Sequence, residues 1–302
     1  MQGDLGAIAE VFIADDLLDA GEIVLDAGFL RSMWSRDGFD LATDAWVVAD
    51  GTGTIVGYAH AMRDGPDVVD SLGVVHPSHR GRGLGSSLLD RIEERAAQLL
   101  AEHPAPHFRH AINAGDGAAA AMLRARGLRP VRHFWHMGID LTEPVEQSHA
   151  PEGIEIDGVA PPEDLVAVHA ILAAAFAEDW GYHPQPFDRW AEDHVSGPNY
   201  DPTLWLLARD GEVPVGALTA GEHGWVGEIG VLGPHRGRGI AASLLRRSFA
   251  MFAGRGSPRV LLNVDAENPT GATALYERVG MRVIKRWDLW ERIGPPPPHA
   301  SP

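Results

Sequence analysis

Along the chain the apolar positions switch between a helical and a strand period, and the sequence of switches runs twice. Leu5, Ile8, Ala9, Phe12 and Ile13 recur at three- and four-residue spacing and predict a helix over 5–18. Phe29, Leu30, Met33 and Trp34 predict a second. Ala45–Ala49 and Thr54–Ala61, on either side of a turn at Asp50–Gly53, predict a hairpin. A strand at Leu72–Val75 follows, then a helix through Leu88, Leu89, Ile92 and Ala96 that ends near Leu100. His107–Ile112 predicts a strand, Ala118–Arg126 a short helix stopped by Gly127, and Val131–Leu141 a closing strand.

Residues 142–152 carry two prolines and no hydrophobic period, and predict a linker. Beyond it the order returns. Ile154–Ile156 predicts a strand, Pro162–Phe176 a helix, and Trp180–Trp190 an aromatic loop. Leu204–Arg209 and Val213–Ala220 predict a hairpin about Asp210–Gly211, with Val226–Leu232 the next strand. A helix carries Leu244, Leu245, Phe249 and Phe252; Arg259–Val264 is a strand, Thr270–Val279 a helix stopped by Gly280, and Val283–Trp290 a last strand. No counterpart of Ile154–Ile156 is legible ahead of the first helix. Residues 294–302, G-P-P-P-P-H-A-S-P, predict a disordered tail.

The repetition is most explicit in S-L-G-V-V-H-P-S-H-R-G-R-G-L-G (Ser71–Gly85) and W-V-G-E-I-G-V-L-G-P-H-R-G-R-G-I-A (Trp225–Ala241). Two domain-sized copies roughly 155 residues apart indicate a tandem duplication. The expected organisation is a first domain over 1–141, the linker, a second domain over 153–293, and the tail.

Composition narrows the partners. The 302 residues carry 42 acidic against 25 basic side chains, a net charge of −17, which argues against nucleic acid and anionic membrane as partners. Zero cysteines exclude disulfides, thiolate metal sites and a cysteine nucleophile. No apolar run approaches the roughly 18 residues of a membrane span. A soluble, cytoplasmic protein is expected, as monomer or homodimer. His107/His110 and His133/His136, three apart on strands, point to opposite faces, so no metal site is expected.

Each repeat sends a strand into an arginine–glycine loop that opens a helix. Glycines let the backbone approach a ligand, successive N–H groups form a nest, and the helix N-terminus adds partial positive charge. Arg236 and Arg238 add guanidinium donors suited to phosphate. There is no Gly-Lys-Ser/Thr of a Walker loop and no third glycine at dinucleotide spacing.

R-G-R-G-I-A (Arg236–Ala241) and R-G-R-G-L-G (Arg80–Gly85) resemble the Arg/Gln-x-x-Gly-x-Gly/Ala pyrophosphate loop of the GNAT superfamily of N-acetyltransferases. The run N-V-D-A-E-N-P-T-G-A-T-A-L-Y-E-R-V-G-M (Asn263–Met281) resembles a second block of that superfamily, where an asparagine and a tyrosine flank the thiol end of coenzyme A. The tandem arrangement is similar to that of its mycothiol synthase-like members. The resemblance implies two mixed α/β domains, each a largely antiparallel sheet flanked by helices, with a splay between central strands that receives acetyl-CoA.

It also implies residues. Gly230, Val231, Arg236, Gly237, Arg238, Gly239, Ile240, Ala241 and Asn268 would contact the cofactor in the second domain. Leu72, Gly73, Val74, Arg80, Gly81, Arg82, Gly83, Leu84 and Gly85 would do so in the first. Glu228 stands where the family often carries a base and Tyr276 where its thiolate-protonating tyrosine lies; the oxyanion donor would be the Val231 N–H. Trp180, Tyr182 and His183 would face the acceptor. In the first half Leu123 takes the tyrosine's place, Gly115 that of Asn268 and Ser71 that of Glu228, while the neighbouring Asp70 points to the other face.

The expected activity is acetyl transfer from acetyl-CoA to a primary amine of a small molecule, run by the second domain, with an aminosugar-type or mycothiol-precursor-like acceptor. Its alternatives are a non-catalytic acyl-CoA-binding or sensor protein, and an acyltransferase for longer acyl groups, a peptide N-terminus or an aminoglycoside.

Overall fold

The computed structural model describes residues 2–142, 149–195, 200–221 and 224–294. Most of the expected linker (143–148) and tail (295–302) lies outside the described residues. The described chain forms two compact units. One comprises residues 2–135, 265–267 and 284–294, the other 136–264 and 268–283.

The first unit opens with helices α1 (Leu5–Asp19) and α2 (Ala27–Trp34). Asp26 starts the second, its side chain accepting from the N–H groups of Gly28 and Phe29. Strands β1 (Ala45–Ala49), β2 (Ile55–Arg63) and β3 (Val68–Val75) pair antiparallel, and β3 runs parallel to β4 (His107–Asn113). Between them lies α3 (Leu84–Leu99), and after them α4 (Gly117–Ala125), N-capped by Asp116. The stripe Leu88, Leu89, Ile92 and Ala96 is buried against Ala59, Val69, Phe108, Ile112 and Leu123. Each large side chain of that kind contributes about 1.5–3 kcal/mol on full burial.

The second unit repeats this. Strand β5 (Arg129–Asp140) carries the chain out of the first unit, and β6 (Ile154–Gly158) precedes α5 (Leu165–Phe176) and α6 (Phe187–Val195). Strands β7 (Leu206–Asp210), β8 (Val213–Gly221) and β9 (Trp225–Val231) form an antiparallel meander with β6. Helix α7 (Ile240–Gly254) buries Leu244, Leu245, Phe249 and Phe252. Strand β10 (Arg259–Asp265) runs parallel to β9, and α8 (Ala272–Arg278) and β11 (Arg282–Ile293) close the chain. The fold is mixed α/β with largely antiparallel pairing, flanked by helices, as expected.

Three local readings shift. The expected loop over Trp180–Trp190 is helical from Phe187, because α6 has an apolar side to bury, with Trp190 inside. The hairpin strand begins at Leu206, since Asp201 caps a short 3₁₀ turn over Pro202–Leu204. No strand precedes α1 among the described residues; a 3₁₀ turn over Gln2–Asp4 does.

The linear division at 141/153 also differs from the observed units. Most of β11 packs within the first unit, antiparallel to β4 from Trp287↔Asn113 to Ile293↔His107. It brings the chain's only lysine, Lys285, onto Asp16 at 2.6 Å, where Asp16 also accepts from the N–H groups of Val24 and Leu25. Conversely, residues 136–140 at the end of β5 belong to the second unit.

Candidate active site

The glycine loop of the second unit is built by backbone geometry. Gly237 and Gly239 have φ of 77° and 84°, a region that favours glycine, and Gly239 is the N-cap of α7 with no side-chain cap. The first-turn N–H groups of that helix therefore face outward without an intrahelical acceptor. The first unit repeats this, with Gly81 and Gly83 at 74° and 80° and Gly83 the uncapped N-cap of α3.

The arginines behave differently from the sequence expectation. Arg236 Nε donates to the carbonyl of Val231 at 3.1 Å and Nη2 to that of Ala175 at 3.4 Å. Arg80 Nε likewise donates to Val75 O at 3.2 Å, and its other end pairs with Asp15. Arg238 pairs with Asp210 at 2.6 Å, while Arg82 reaches Ser78 O at 3.1 Å. These guanidiniums clip the loop to its own unit, so the donors best aimed at an anion are backbone N–H groups. Gly230 is explained by packing: a Cβ there would meet Ala175 Cβ at 2.6 Å.

The splay lies between β9 and β10, whose parallel ladder among the described residues is registered at Leu261↔Trp225. On the other side of β9, Gly216 faces Val231, and the Leu232 N–H donates to Val215 O at 2.9 Å. Antiparallel pairs alternate, so Gly216 and Val231 form a non-hydrogen-bonded pair. The Val231 N–H and C=O thus point away from β8, into the gap that β10 has left, and Arg236 Nε meets that same carbonyl.

Three further groups of the unit converge. Glu228 is half-buried on β9, within a bulge of that strand, where the three steps from Val226 to Ile229 face only two, Leu218 to Ala220, on β8. Its N–H donates to Thr219 Oγ1 at 2.9 Å, and its Oε2 is 3.3 Å from His194 Nε2. That contact is an ion-pair distance without hydrogen-bond alignment, which leaves the buried Oε2 lacking an aligned donor. Tyr276, on α8, is 7% exposed; burial and then the charge of Asp179 push its hydroxyl up to about 12. Asn268 turns back on the N–H of Thr270 at 2.9 Å and donates to Asp179 at 3.3 Å.

The segment after α5 spans these groups. Asp179 meets Asn268 and Tyr276, and the Tyr182 N–H donates to Asp179 O at 3.2 Å. Burial, followed by the nearby Glu228 charge, raises the Tyr182 hydroxyl. Tyr182 and Trp180 are half-buried; His183 is exposed.

The first unit lacks this set. Glu228 stands eleven residues before Gly239, and eleven before Gly83 stands Leu72, so Leu72 and not Ser71 is its counterpart. The ladders agree: Val74 faces Tyr58 as Gly230 faces Ala217. The Ser71 hydroxyl donates to Arg109 O at 2.6 Å and meets His110 Nδ1 at 2.8 Å. Leu123 is fully buried in the core, Gly115 sits near Asp19, and Asp70 lies 4.0 Å from Arg109. The paired histidines go to separate partners: His107 to Glu291 and His133 to Asp288. His110 lies against Ser71, and His136 against Trp225.

Sequence reasoning missed His194 and Asp179. No spacing links 194 to 228 or 179 to 276; the one local signal is the i, i+4 placement of Trp190 and His194 on an amphipathic helix.

A splayed strand, an uncapped glycine loop at a helix start, and a carboxylate and buried tyrosine beside them describe an acyl-CoA-dependent transferase, and the comparisons agree. The acetyltransferase (GNAT) family model matches residues 165–281, and an acetyltransferase (GNAT) domain model matches 42–124. The chain belongs to the GNAT family of acetyltransferases. It is 34% identical to a mycothiol acetyltransferase of Streptomyces coelicolor over 80% of this chain and 76% of that one. A mycothiol acetyltransferase of Nocardioides is 30% identical over 91% and 92% of the two chains. Among solved structures, a GCN5-related N-acetyltransferase from Sphaerobacter thermophilus superposes with a TM-score of 0.80 at 33% identity, covering 97% of this chain and 93% of that one. No described helix is long and apolar enough to cross a membrane.

Proposed function

We propose that the protein moves the acetyl group of acetyl-CoA to the primary amine of a small aminosugar-type molecule, and that the second unit carries the chemistry. What supports this reading is the outward Val231 N–H on the same strand as Glu228, with Tyr276 tied to the segment that reaches Glu228 through Asp179 and Tyr182, against Leu72 and Leu123 in the other unit. The uncapped N-terminus of α7 and the positive-φ loop fit a pyrophosphate.

Acetyl-CoA, when bound, supplies an activated acyl group as a thioester. Glu228 takes a proton from the acceptor's ammonium, freeing the lone pair that forms the N–C bond. The Val231 N–H donates to the acyl oxygen as charge gathers there. Tyr276, a protonated phenol, gives its proton to sulfur as the C–S bond breaks, and recovers one from the nitrogen, which sheds its second proton as the amide forms. Asn268 and Asp179 hold α8 and the preceding segment in register.

The acceptor class follows from two supports. The relatives named mycothiol acetyltransferase favour an aminosugar–inositol amine. The acidic surplus raises the local concentration of a cation, and Trp180 and Tyr182 offer rings on which a sugar face can lie. Thiol release from acetyl-CoA with aminosugar–inositols, aminoglycosides, amino acids and peptide N-termini tests this. Turnover should be fastest with the first class. Tight acetyl-CoA binding with no thiol release in any class would overturn it in favour of a binding protein.

A further inference from the structure

Beyond the base itself, the geometry around Glu228 assigns a role to a second residue. We propose that His194 is a positioning residue for Glu228, sharing one proton between its Nε2 and the carboxylate, so that the pair rather than the carboxylate alone receives the amine's proton. This rests on the reading of Glu228 as the base.

His194 sits in the last turn of α6, its ring stacked on Trp190 with centroids 4.8 Å apart and planes 22° apart. Its Nδ1 lies 2.9 Å from the carbonyl oxygen of Trp190. A carbonyl only accepts, so Nδ1 carries a hydrogen, and the neutral ring then presents a bare Nε2. That nitrogen faces Glu228 Oε2 at 3.3 Å. Two lone pairs turned toward each other are unfavourable; one proton, on either atom, turns the contact into an attraction. Stacking and the Nδ1 bond fix the ring so that it cannot rotate the contact away.

Among the described residues, charged or titratable groups face the pair from α6, from α5 and from the segment after α5. Asp193, paired with Arg189 at 3.4 Å, adds negative charge on α6. Tyr182 faces Glu228 from the segment after α5. From α5, His169 lies against the Trp190 ring, 5.3 Å between centroids, with Nε2 2.9 Å from Gln185 O. Burial disfavours the imidazolium, but Glu228, then the Trp190 carbonyl and Asp193, outweigh it and raise His194 above its ordinary 6.5. Below that raised value the pair already holds its proton and cannot take another cheaply. Above it, the pair has given up that proton and can accept one. The amine's N–H bond then breaks, an O–H bond forms on Glu228, and the proton moves on to Nε2, leaving the amine neutral.

The test is the pH profile of kcat/KM for wild type, His194→Gln, His194→Asn and Glu228→Gln, beside an imidazole nitrogen NMR titration of His194. Wild type should show an acid limb above pH 6.5 that tracks the NMR titration. In both His194 variants the limb should move down by more than about one pH unit, toward the carboxylate range. Glu228→Gln should lower the His194 titration and remove the limb. An unmoved limb in folded His194→Gln and His194→Asn, or a His194 that titrates at or below 6.5 in wild type, overturns the shared proton even if Glu228→Gln is inactive. Wild-type rates in Glu228→Gln would instead overturn the base assignment.

Discussion

Burial decides what Tyr276 can do. A phenol is protonated at any ordinary pH, and the burial that pushes this hydroxyl up to about 12 also keeps its proton away from bulk water, available to a group bound against it. Tyr276→Phe keeps the ring in its buried place and removes only the hydroxyl. We expect kcat to fall on the order of 10²-fold or more, with acetyl-CoA affinity little changed, read by steady-state rates beside calorimetry. Glu228 and Tyr276 were legible from their distance to the glycine loop and to Gly280, because strand and helix lengths fix where such residues emerge. Asp179 and His194 were not. Each reaches its partner across more than thirty positions of sequence, through packing of α5 and α6 on the sheet that no local period encodes. The one-residue displacement of Ser71 against Leu72 has a different origin: counting back from the matched glycines Gly83 and Gly239 already gives Leu72, and the ladder agrees.

The two glycine loops share their backbone conformation, so equal substitutions can separate their roles. Valine at Gly239 or Gly83 is strained by the positive φ alone, since the nearest atom to an added Cβ is Pro151 Cγ at 3.8 Å in one case and nothing lies within 4 Å in the other. Gly239→Val should therefore abolish coenzyme A binding in the second unit and thiol release with it, read by calorimetry and rate. Strand β11 makes a different point. Its alternation was legible, but not its partner, because a pleated strand offers the same backbone to any edge. Its placement beside β4 leaves Lys285 as the cation for buried Asp16. Lys285→Ala strands a carboxylate in the interior and should cost the first unit about 3–5 kcal/mol in denaturant unfolding, despite lying at the far end of the sequence from α1.

At the scale of the whole molecule, one half has kept buried polar groups of another kind. Burial holds His60 down to about 3, with His110 and Arg36 adding to it, and burial alone holds His110 down to about 4. An unfolded chain takes up these protons below 6.5 while the folded one refuses them, so this stability is whole above 6.5 and drains away as pH falls toward 4 and 3. At about pH 5 each histidine should cost about 2 kcal/mol relative to neutral pH, lowering the melting temperature on the order of 10 °C. His60→Gln should flatten that slope. Activity is expected to be divided just as unevenly, since the first unit has the loop but Leu72 and Leu123 where the second has Glu228 and Tyr276. The most direct measurement is thiol release from acetyl-CoA, with an aminosugar–inositol amine as acceptor, by Gly83→Val beside Tyr276→Phe. Chemistry in the second unit predicts a rate near wild type for Gly83→Val and a loss of about 10²-fold or more for Tyr276→Phe. Abolished turnover in Gly83→Val with a near-normal rate in Tyr276→Phe would contradict it.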